Sequence, residues 1–166
     1  MGERTSWIPA YIAIGSNLDD PRAQVEQAFV SLASLKATRL VARSRVYGSR
    51  PFGPIVQPDF INAAVGVLTR LTPRELLVAL KELEVALGRT APVERWGPRR
   101  IDFDLLAYGN VRMEETDLTV PHPGIPQRNF VLYPLADIAP DLHIPGMGVV
   151  KELAARVGAQ GLQLLS

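Results

Sequence analysis

The sequence contains no cysteine. Disulfides, thiolate metal sites and redox chemistry at thiols are therefore excluded, and the absence suits a reducing compartment. The sequence also lacks an excess of charge of one sign, because 18 basic residues stand against 17 acidic ones. No overall field recruits nucleic acid or a membrane surface. Long apolar runs are missing as well, so we expect no membrane span and no secretory signal, and hence a cytoplasmic protein.

What is present is a chain of 166 residues without internal repeats, linkers or low-complexity segments. A chain of this size can bury about two thirds of its unfolded surface and fold without disulfides or structural metals. We expect residues 1–166 to form a single domain that acts as a monomer.

Hydrophobic spacing predicts the order strand, helix, strand, strand, helix, strand, followed by a C-terminal extension. The second helix has the clearest start, because Thr72 to Glu75 form a capping box with proline at the first helical position. This order predicts an α+β fold, the ferredoxin-like βαββαβ core, in which an antiparallel sheet carries two helices on one face. The predicted segments are strands at 10–14, 39–47 and 60–69, a helix that Asp19 or Asp20 can cap and that continues to Leu35, a helix at about 73–87, a strand with Asp102 and Asp104, a short strand or extended segment at 118–120, a helical stretch from Arg128 that Pro134 soon limits, and a closing helix at 149–157.

Asp102 and Asp104 lie two residues apart in a predicted strand. Side chains at this spacing share one face of the strand, about 6.6 Å apart. Carboxylates bind metal ions and guanidinium groups bind phosphate oxygens, so this stretch could hold two Mg²⁺ ions and the polyphosphate that they bridge. A solvated face with alternating charges is the alternative, but it does not account for the tryptophan and the Gly-Pro turn between arginines. The arginines just before the aspartates are Arg89, Arg95, Arg99 and Arg100.

Three further patterns each allow two interpretations. Phe60 and Asn62 share one strand face and could form a platform for a flat heterocycle, or could pack in the core. The turn at 15–17 could bind phosphate, but it lacks the further glycines and the lysine of a P-loop, and a tight turn is favoured. His122, fixed between two prolines, could donate to a phosphate or be structural.

Charged side chains outside the aspartate strand are expected to face water. The arginines at 39, 43 and 45 alternate with apolar residues, as on the outer face of a half-buried strand. Glu84, in the last turn of the second helix, could orient an arginine, but solvent is the expected surrounding. The segment 48–59 contains three prolines and is predicted to be a long irregular loop of the kind that often carries function.

Four stretches together resemble the 6-hydroxymethyl-7,8-dihydropterin pyrophosphokinase family of folate biosynthesis. They are Tyr11 to Leu18, Gly53 to Val65, Arg95 to Asp104, which holds Trp96, Gly97, Pro98 and both aspartates, and Val120 to Pro123. The resemblance covers nearly the whole chain in order. It implies a ferredoxin-like enzyme that binds ATP with two Mg²⁺ ions, transfers pyrophosphate to the pterin hydroxymethyl group and releases AMP.

The resemblance also implies a role for individual residues. Asp102 and Asp104 match the metal-binding aspartates, which hold both ions against the triphosphate so that the β-phosphorus faces the pterin oxygen in line. Arg89 and Arg99 match catalytic arginines. The implied ATP contacts are Arg89, Arg95, Arg99, Leu105, Thr119, His122 and Arg128. The implied pterin contacts are Ser49, Phe52, Phe60, Asn62, Trp96 and Phe130, of which Asn62 reads the pterin edge, Phe60 and Phe130 stack on its faces and Trp96 belongs to a closing loop.

Two other functions remain open at this point. An RNA-binding module on the same fold would stack bases on Phe60 and Phe103, but the paired aspartates repel phosphate without metal and the usual Lys/Arg-Gly-Phe signature is missing. A two-metal nucleotidyltransferase would use the same carboxylates and release free pyrophosphate instead of AMP.

Overall fold

The structure is a computed structural model that describes residues 6–51, 53–54, 56–88 and 100–165. Its main sheet has six strands, and two pairs of short strands lie outside it. The strands are β1 (Ile8–Ser16), β2 (Thr38–Arg43), β3 (Tyr47–Ser49), β4 (Phe60–Thr69), β5 (Asp102–Tyr108), β6 (Met113–Glu115), β7 (Leu118–Val120), β8 (His143–Ile144), β9 (Gly148–Val149) and β10 (Leu162–Leu164). The helices are α1 (Pro21–Leu32), α2 (Pro73–Ala86), α3 (Asn129–Ile138) and α4 (Val150–Val157), with a 3₁₀ turn at Ile125–Gln127.

All pairings in the main sheet are antiparallel. β4 pairs with β1 on one side and with both β2 and β3 on the other, β1 pairs in turn with β5, and β10 pairs with β3. The predicted antiparallel sheet with helices packed on it is therefore confirmed. The position of β5 at one edge determines where the two aspartates lie.

Helices cover both faces of the sheet, because side chains alternate along each strand. Ile12 and Ile14 of β1 belong to one core, which also contains the buried residues of α1 and α2. Ala13 belongs to a second core with the buried residues of α3 and α4. The prediction of two helices on one face describes only the first core, since the segments that form α3 and α4 were not assigned to a second layer.

The two helices of the first core follow their sequence signals closely. Asp20 caps α1 and its carboxylate accepts from the Ala23 backbone N–H, while Pro21 stands at the first helical position. The capping box of Thr72 and Glu75 is present at α2. These starts were predictable because capping side chains satisfy the free N–H groups of the first turn.

Several elements differ from prediction, including β1, which extends on both sides of the predicted strand, and α1, which ends at Leu32 and not at Leu35. The strand predicted at 39–47 is divided into β2 and β3, with a register shift on β2 between Leu40 and Ala42. Pro134 lies inside α3 instead of ending it, because an apolar helix buried by packing tolerates the one hydrogen bond that proline removes. The closing helix is confirmed at Val150–Val157, but β10 follows it and returns to the sheet edge.

The arginines of the β2–β3 edge are not merely solvated. Arg39 lies over the Trp7 ring and Arg43 over the Phe29 ring, with 4.5 and 4.7 Å from guanidinium carbon to ring centroid. Arg45 forms an ion pair with Asp137 at 2.8 Å. The period-two pattern showed that these side chains point outward, but it carried no information on the rings and carboxylates beside them.

Candidate functional site

Three neighbouring strands align Asn62, Gly15 and Asp102 in one row across the sheet. Gly15 of β1 lies opposite Asn62 of β4 on one side and opposite Asp102 of β5 on the other. Strands lie about 4.8 Å apart, so the backbones of Asn62 and Asp102 are about 10 Å apart. The amide predicted to read the pterin and the first predicted metal ligand therefore occur on one surface.

Gly15 leaves the middle of this row open. A Cβ atom at this position would lie 3.6 Å from Asn62 Oδ1 and 3.9 Å from the Phe60 ring, which are ordinary contact distances. The glycine therefore leaves space for a ligand above the sheet instead of relieving a clash within the protein. Sequence reasoning placed Gly15 in a turn, whereas it is part of β1, which extends to Ser16.

Ser16 and Asn17, at the end of β1, hold two surrounding loops. Ser16 Oγ donates to the Arg100 carbonyl, which precedes β5. Asn17 Nδ2 donates to Gln57 Oε1 and to the Pro58 carbonyl, each at 2.8 Å. Both side chains are buried. These contacts support a structural role for the segment 15–17 and not the phosphate loop.

Asp104 lies two residues beyond Asp102, opposite Ala13 of β1. Burial and the negative charge of Asp102 raise the pKa of the Asp104 carboxyl to about 7, although the nearby cations Lys81 and Arg128 act in the opposite direction. The proximity of Asp102 opposes ionisation of Asp104, and a divalent cation between the carboxylates would relieve that repulsion.

Glu84 supports the aspartate strand from the other core. Its side chain is 3% exposed, and Oε2 accepts a hydrogen bond of 2.7 Å from the Phe103 backbone N–H. Phe103 lies between the two aspartates at the sheet edge, so Glu84 fixes the backbone from which both carboxylates project. The expectation that Glu84 faces water was wrong. Helical spacing placed it in the last turn but could not show that β5 packs against that turn.

His122 is fixed on both sides by backbone hydrogen bonds. Its backbone N–H donates to the Leu106 carbonyl at 2.9 Å, and its Nδ1 accepts from the Gly124 N–H at 3.0 Å. With Nδ1 as acceptor, the proton of the neutral ring is on Nε2. Burial, together with the positive charge of Arg128, lowers the pKa of His122 to about 4, so the ring is a neutral donor near pH 7.

Gly124 allows His122 and Arg128 to approach each other. A Cβ atom at this glycine would lie 2.8 Å from the guanidinium carbon of Arg128 and 3.1 Å from Cε1 of His122. Because both side chains pack against the bare glycine, two predicted phosphate contacts occur together. The sequence does not show that glycine is needed here. The need comes from the two neighbouring side chains and not from the backbone, because Gly124 has an ordinary φ of −81°.

A cavity of about 270 Å³ beside β5 brings together four of the predicted residues, Asp104, Leu105, Thr119 and His122. Lys81 of α2, which was not predicted, lines the same cavity. A larger hollow of about 780 Å³ lies near the start of β1 and contains none of the predicted site residues. Of these two cavities, only the smaller one is lined by predicted site residues.

Four of the six predicted pterin contacts, Ser49, Phe60, Asn62 and Phe130, lie in β3, in β4 and at the start of α3. Asn62 Nδ2 donates to Ser49 Oγ at 2.7 Å, which leaves Oδ1 on the side of Gly15. Phe60 is at the start of β4 and Phe130 is in the first turn of α3, which packs against β3 and β4. Arg128 lies 5.9 Å from the Phe130 ring centroid and so connects the two groups of residues.

Five of the predicted site residues lie outside the described part of the chain. They are Phe52, Arg89, Arg95, Trp96 and Arg99. Arg100 is described, and its guanidinium lies 3.4 Å from Asp19.

The donor set fits magnesium. Asp102 and Asp104 offer hard carboxylate oxygens. They are only two ligands, since within the described ranges no group of three or more histidine, cysteine, aspartate or glutamate side chains is arranged to hold a metal ion. Magnesium is commonly bound through one or two carboxylates, with water and substrate phosphates as the other ligands.

Comparison with known proteins gives consistent results. Residues 11–140 match the family described as 7,8-dihydro-6-hydroxymethylpterin-pyrophosphokinase (HPPK). The chain is 44% identical over 155 residues to the 2-amino-4-hydroxy-6-hydroxymethyldihydropteridine pyrophosphokinase of Pseudomonas aeruginosa, covering 93% of this chain and 95% of the relative. It is 42% identical over 146 residues to the enzyme of that name from Haemophilus influenzae, covering 88% and 91%.

The fold is also similar to solved structures. A crystal structure of wild-type Plasmodium falciparum HPPK-DHPS with pteroate superposes with a TM-score of 0.74 at 13% identity, covering 94% of this chain and 43% of that one. At this identity the similarity concerns the fold alone, and our chain spans less than half of that longer protein. No helix in the described ranges is long and apolar enough to cross a membrane.

Proposed function

The chain belongs to the 7,8-dihydro-6-hydroxymethylpterin-pyrophosphokinase family, and from that premise we propose how its residues carry out the reaction. As an ATP-dependent pyrophosphokinase, it transfers a pyrophosphoryl group from ATP to hydroxymethyldihydropterin in folate synthesis.

The observation that carries the proposal is the row of Asn62, Gly15 and Asp102. It gives one surface with an amide at one end and a carboxylate about 10 Å away at the other. A pterin on the Asn62 side would direct its hydroxymethyl group towards the carboxylate side. The acceptor oxygen and the triphosphate would then meet above Gly15, which has no side chain to obstruct them.

On the pterin side, Asn62 Oδ1 accepts from the N–H groups of the ring edge, while Ser49 fixes the amide orientation through its 2.7 Å hydrogen bond. Phe60 and Phe130 stack on the two ring faces. The proposed pterin contacts include Phe52 and Trp96, in keeping with the family resemblance.

On the nucleotide side, Asp102 and Asp104 would hold two Mg²⁺ ions, which would supply positive charge against the triphosphate. His122 donates from Nε2 to a phosphate oxygen, and Arg128 adds a guanidinium beside it. Arg89, Arg95 and Arg99 complete the phosphate contacts, and Leu105 and Thr119 contact the adenine. Proximity of Arg128 and Lys81 to Asp104 supports a site for an anionic ligand at this edge.

The proposal includes the wider setting. The strand order of the main sheet supports a ferredoxin-like core with a C-terminal extension, and residues 1–166 act as a single pyrophosphokinase domain. We place the enzyme in the cytoplasm as a monomer whose partners are ATP and the pterin, without nucleic acid. The near balance of 18 basic and 17 acidic residues supports the last point.

Substitution of the two aspartates tests the metal assignment. Asp102→Asn and Asp104→Asn should each lower kcat by at least about 100-fold, because each removes one carboxylate ligand while keeping the shape of the side chain. Thermal unfolding should show folded proteins, and titration with Mg²⁺ should show a weaker metal dependence. Near-normal turnover in both variants would contradict the assignment.

A further inference from the structure

Residues 158–165 return from α4 to the sheet edge that carries the proposed pterin contacts. α4 ends at Val157, and Gly158 and Gly161 have φ of 78° and 73°, which glycine adopts without strain. These turns direct β10 against β3, where Leu162 lies opposite Ser49. The Leu165 N–H donates to the Val46 carbonyl at 2.8 Å and extends the contact beyond the strand.

Asn129 connects this segment to α3. Its side-chain Nδ2 donates to the Gly158 carbonyl at 3.0 Å and to the Gln160 carbonyl at 2.8 Å. Both N–H groups of one amide are thus used to hold the turn between α4 and β10. Asn129 is the first residue of α3 and does not cap the helix, since Arg128 occupies the capping position.

These contacts connect the two sides of the proposed pterin site. Phe130 follows Asn129 directly in α3. On the other side, β10 pairs with β3, and Ser49 of β3 accepts from Asn62. The described contacts therefore lead from Phe130 through Asn129, the 158–160 turn and β10 to Ser49 and Asn62.

We propose that Asn129 and residues 158–165 form a C-terminal latch that sets the spacing between Phe130 and the Ser49–Asn62 pair, and thereby positions the pterin. Asn129 is a positioning residue and does not touch the substrate. This inference rests on the proposed pterin site, and it assigns a role to a segment outside the proposed substrate contacts.

Loss of the latch should weaken pterin binding much more than ATP binding. Apart from Arg128, which occupies the capping position of α3, the proposed ATP contacts that the structure describes lie at the opposite edge, where β5 carries Asp104 and the 270 Å³ cavity also includes Thr119 and His122. Among the described residues, the hydrogen bonds of Asn129 and the pairing of β10 do not reach that cavity. A general loss of stability would instead weaken the binding of both ligands.

Two variants, each with a matched control, test the latch. Asn129→Ala removes both donors and keeps good helix propensity, and Asn110→Ala changes an exposed asparagine in a turn away from the site. Gln163→Pro places proline in the middle of β10, which interrupts strand pairing, and Gln163→Ala removes only an exposed side chain. Kd should be measured for α,β-methylene ATP with Mg²⁺, and then for 6-hydroxymethyl-7,8-dihydropterin in the presence of that analogue.

We expect Asn129→Ala and Gln163→Pro to raise the pterin Kd about tenfold, since two ordinary hydrogen bonds or a short strand pairing are lost. The analogue Kd should stay within about twofold, and both controls should behave as wild type. The pterin Kd of the double variant, Asn129→Ala with Gln163→Pro, should be no more than about twofold above that of the weaker-binding single variant, because both changes break the same connection.

A pterin Kd in Asn129→Ala equal to that of Asn110→Ala overturns the latch, and so does an equal loss of both ligands. A wild-type protein that binds the nucleotide analogue but no pterin overturns the proposed pterin site itself, and the latch with it. Wild-type pterin binding that Asn129→Ala leaves unchanged removes only the latch.

Discussion

Two residues without side chains shape the site as much as those that carry charge. Gly15 keeps the surface between Asn62 and Asp102 open, and Gly124 lets Arg128 and His122 pack together. Each glycine serves a different half of the proposed site. Adding one methyl group at either position therefore offers a way to separate the two ligands.

We predict that Gly124→Ala weakens ATP binding, and that Gly15→Ala weakens pterin binding more than ATP binding, because its new Cβ would lie on the side of Asn62 and Phe60. At Gly124 the new Cβ would lie 2.8 Å from the Arg128 guanidinium, which is flexible and would move away from the phosphates. At Gly15 it would fit within the protein and occupy ligand space. A five- to tenfold rise in the corresponding Kd, about 1 to 1.4 kcal/mol, is expected by calorimetry. Equal effects of both variants on one ligand would contradict this division.

Glu84 provides a second test at the residue scale. Glu84→Gln keeps an oxygen that can accept from the Phe103 N–H, whereas Glu84→Ala leaves that N–H without this acceptor, at a cost of about 1–3 kcal/mol in stability. We expect kcat to fall at least tenfold in Glu84→Ala and much less in Glu84→Gln. Glu82→Gln, an exposed change of charge on the same helix, is the matched control. Equal activity of Glu84→Ala and this control would exclude a positioning role.

The sequence identifies residues whose side-chain type indicates a chemical role. It does not identify residues whose role depends on which side chains lie beside them in the fold. Asp102, Asp104 and the Phe60–Asn62 pair could be predicted because spacing of two places them on shared faces. The roles of Gly124 and Glu84 could not be predicted, because they depend on how the Arg128 side chain folds back over Gly124 and on how β5 packs against α2. Arginine at 45 was assigned to solvent for the same reason.

At the scale of elements, the C-terminal end of α3 is joined directly to β3. The N-terminal end of α3 is connected to β3 indirectly, through Asn129 and β10. The Tyr47 hydroxyl donates to the Asp137 carboxylate at 2.9 Å, and the Arg45 guanidinium pairs with the same carboxylate at 2.8 Å. Tyr47 lies in β3 two residues before Ser49. The helix that carries Phe130 and the strand that carries Ser49 are thus held together at both ends of the helix.

The Tyr47 contact gives a prediction for alkaline pH. Burial, followed by the hydrogen bond to Asp137, raises the pKa of Tyr47 to about 12 from the usual value of 10.0. The folded state therefore favours the neutral phenol, and this contribution is present below pH 10 and lost as the pH rises from about 10 to 12. In Tyr47→Phe that decline should be absent.

Urea unfolding at pH 8, 10 and 11.5 measures this difference. Tyr47→Phe should be about 1 kcal/mol less stable than wild type at pH 8, because one hydrogen bond is lost, and the gap should narrow at pH 11.5. Tyr133→Phe, on the same helix as Asp137, is a suitable control. A gap that stays constant from pH 8 to 11.5 would contradict the raised pKa.

Local signals predicted elements well where the chain provides caps or a long apolar pattern. β4 was predicted at its observed bounds, Phe60–Thr69, and α2 to within one residue. β10 was missed because a three-residue strand has too little pattern to detect. α3 continues beyond Pro134 because the packing of Val131, Leu132 and Leu135 outweighs the local penalty of proline.

At the scale of the whole molecule, the sheet separates two tasks. The core with α1 and α2 holds β5 from one face, partly through Glu84. The opposite face presents the row of Asn62, Gly15 and Asp102, and α3 and α4 cover part of that face. The α+β class and the antiparallel sheet were predictable, but the second helical layer was not, because it depends on how the chain after β7 packs.

The identity of the nucleotide product tests the central claim most directly. The protein should be incubated with ATP, Mg²⁺ and 6-hydroxymethyl-7,8-dihydropterin, with a sample without pterin and the Asp104→Asn variant as controls, and the products separated by chromatography. We predict AMP and the pterin diphosphate in equal amounts, with AMP formation dependent on the pterin and strongly reduced in the variant. Release of ADP or free pyrophosphate as the main product, or AMP formation that does not need the pterin, would contradict pyrophosphoryl transfer at this site.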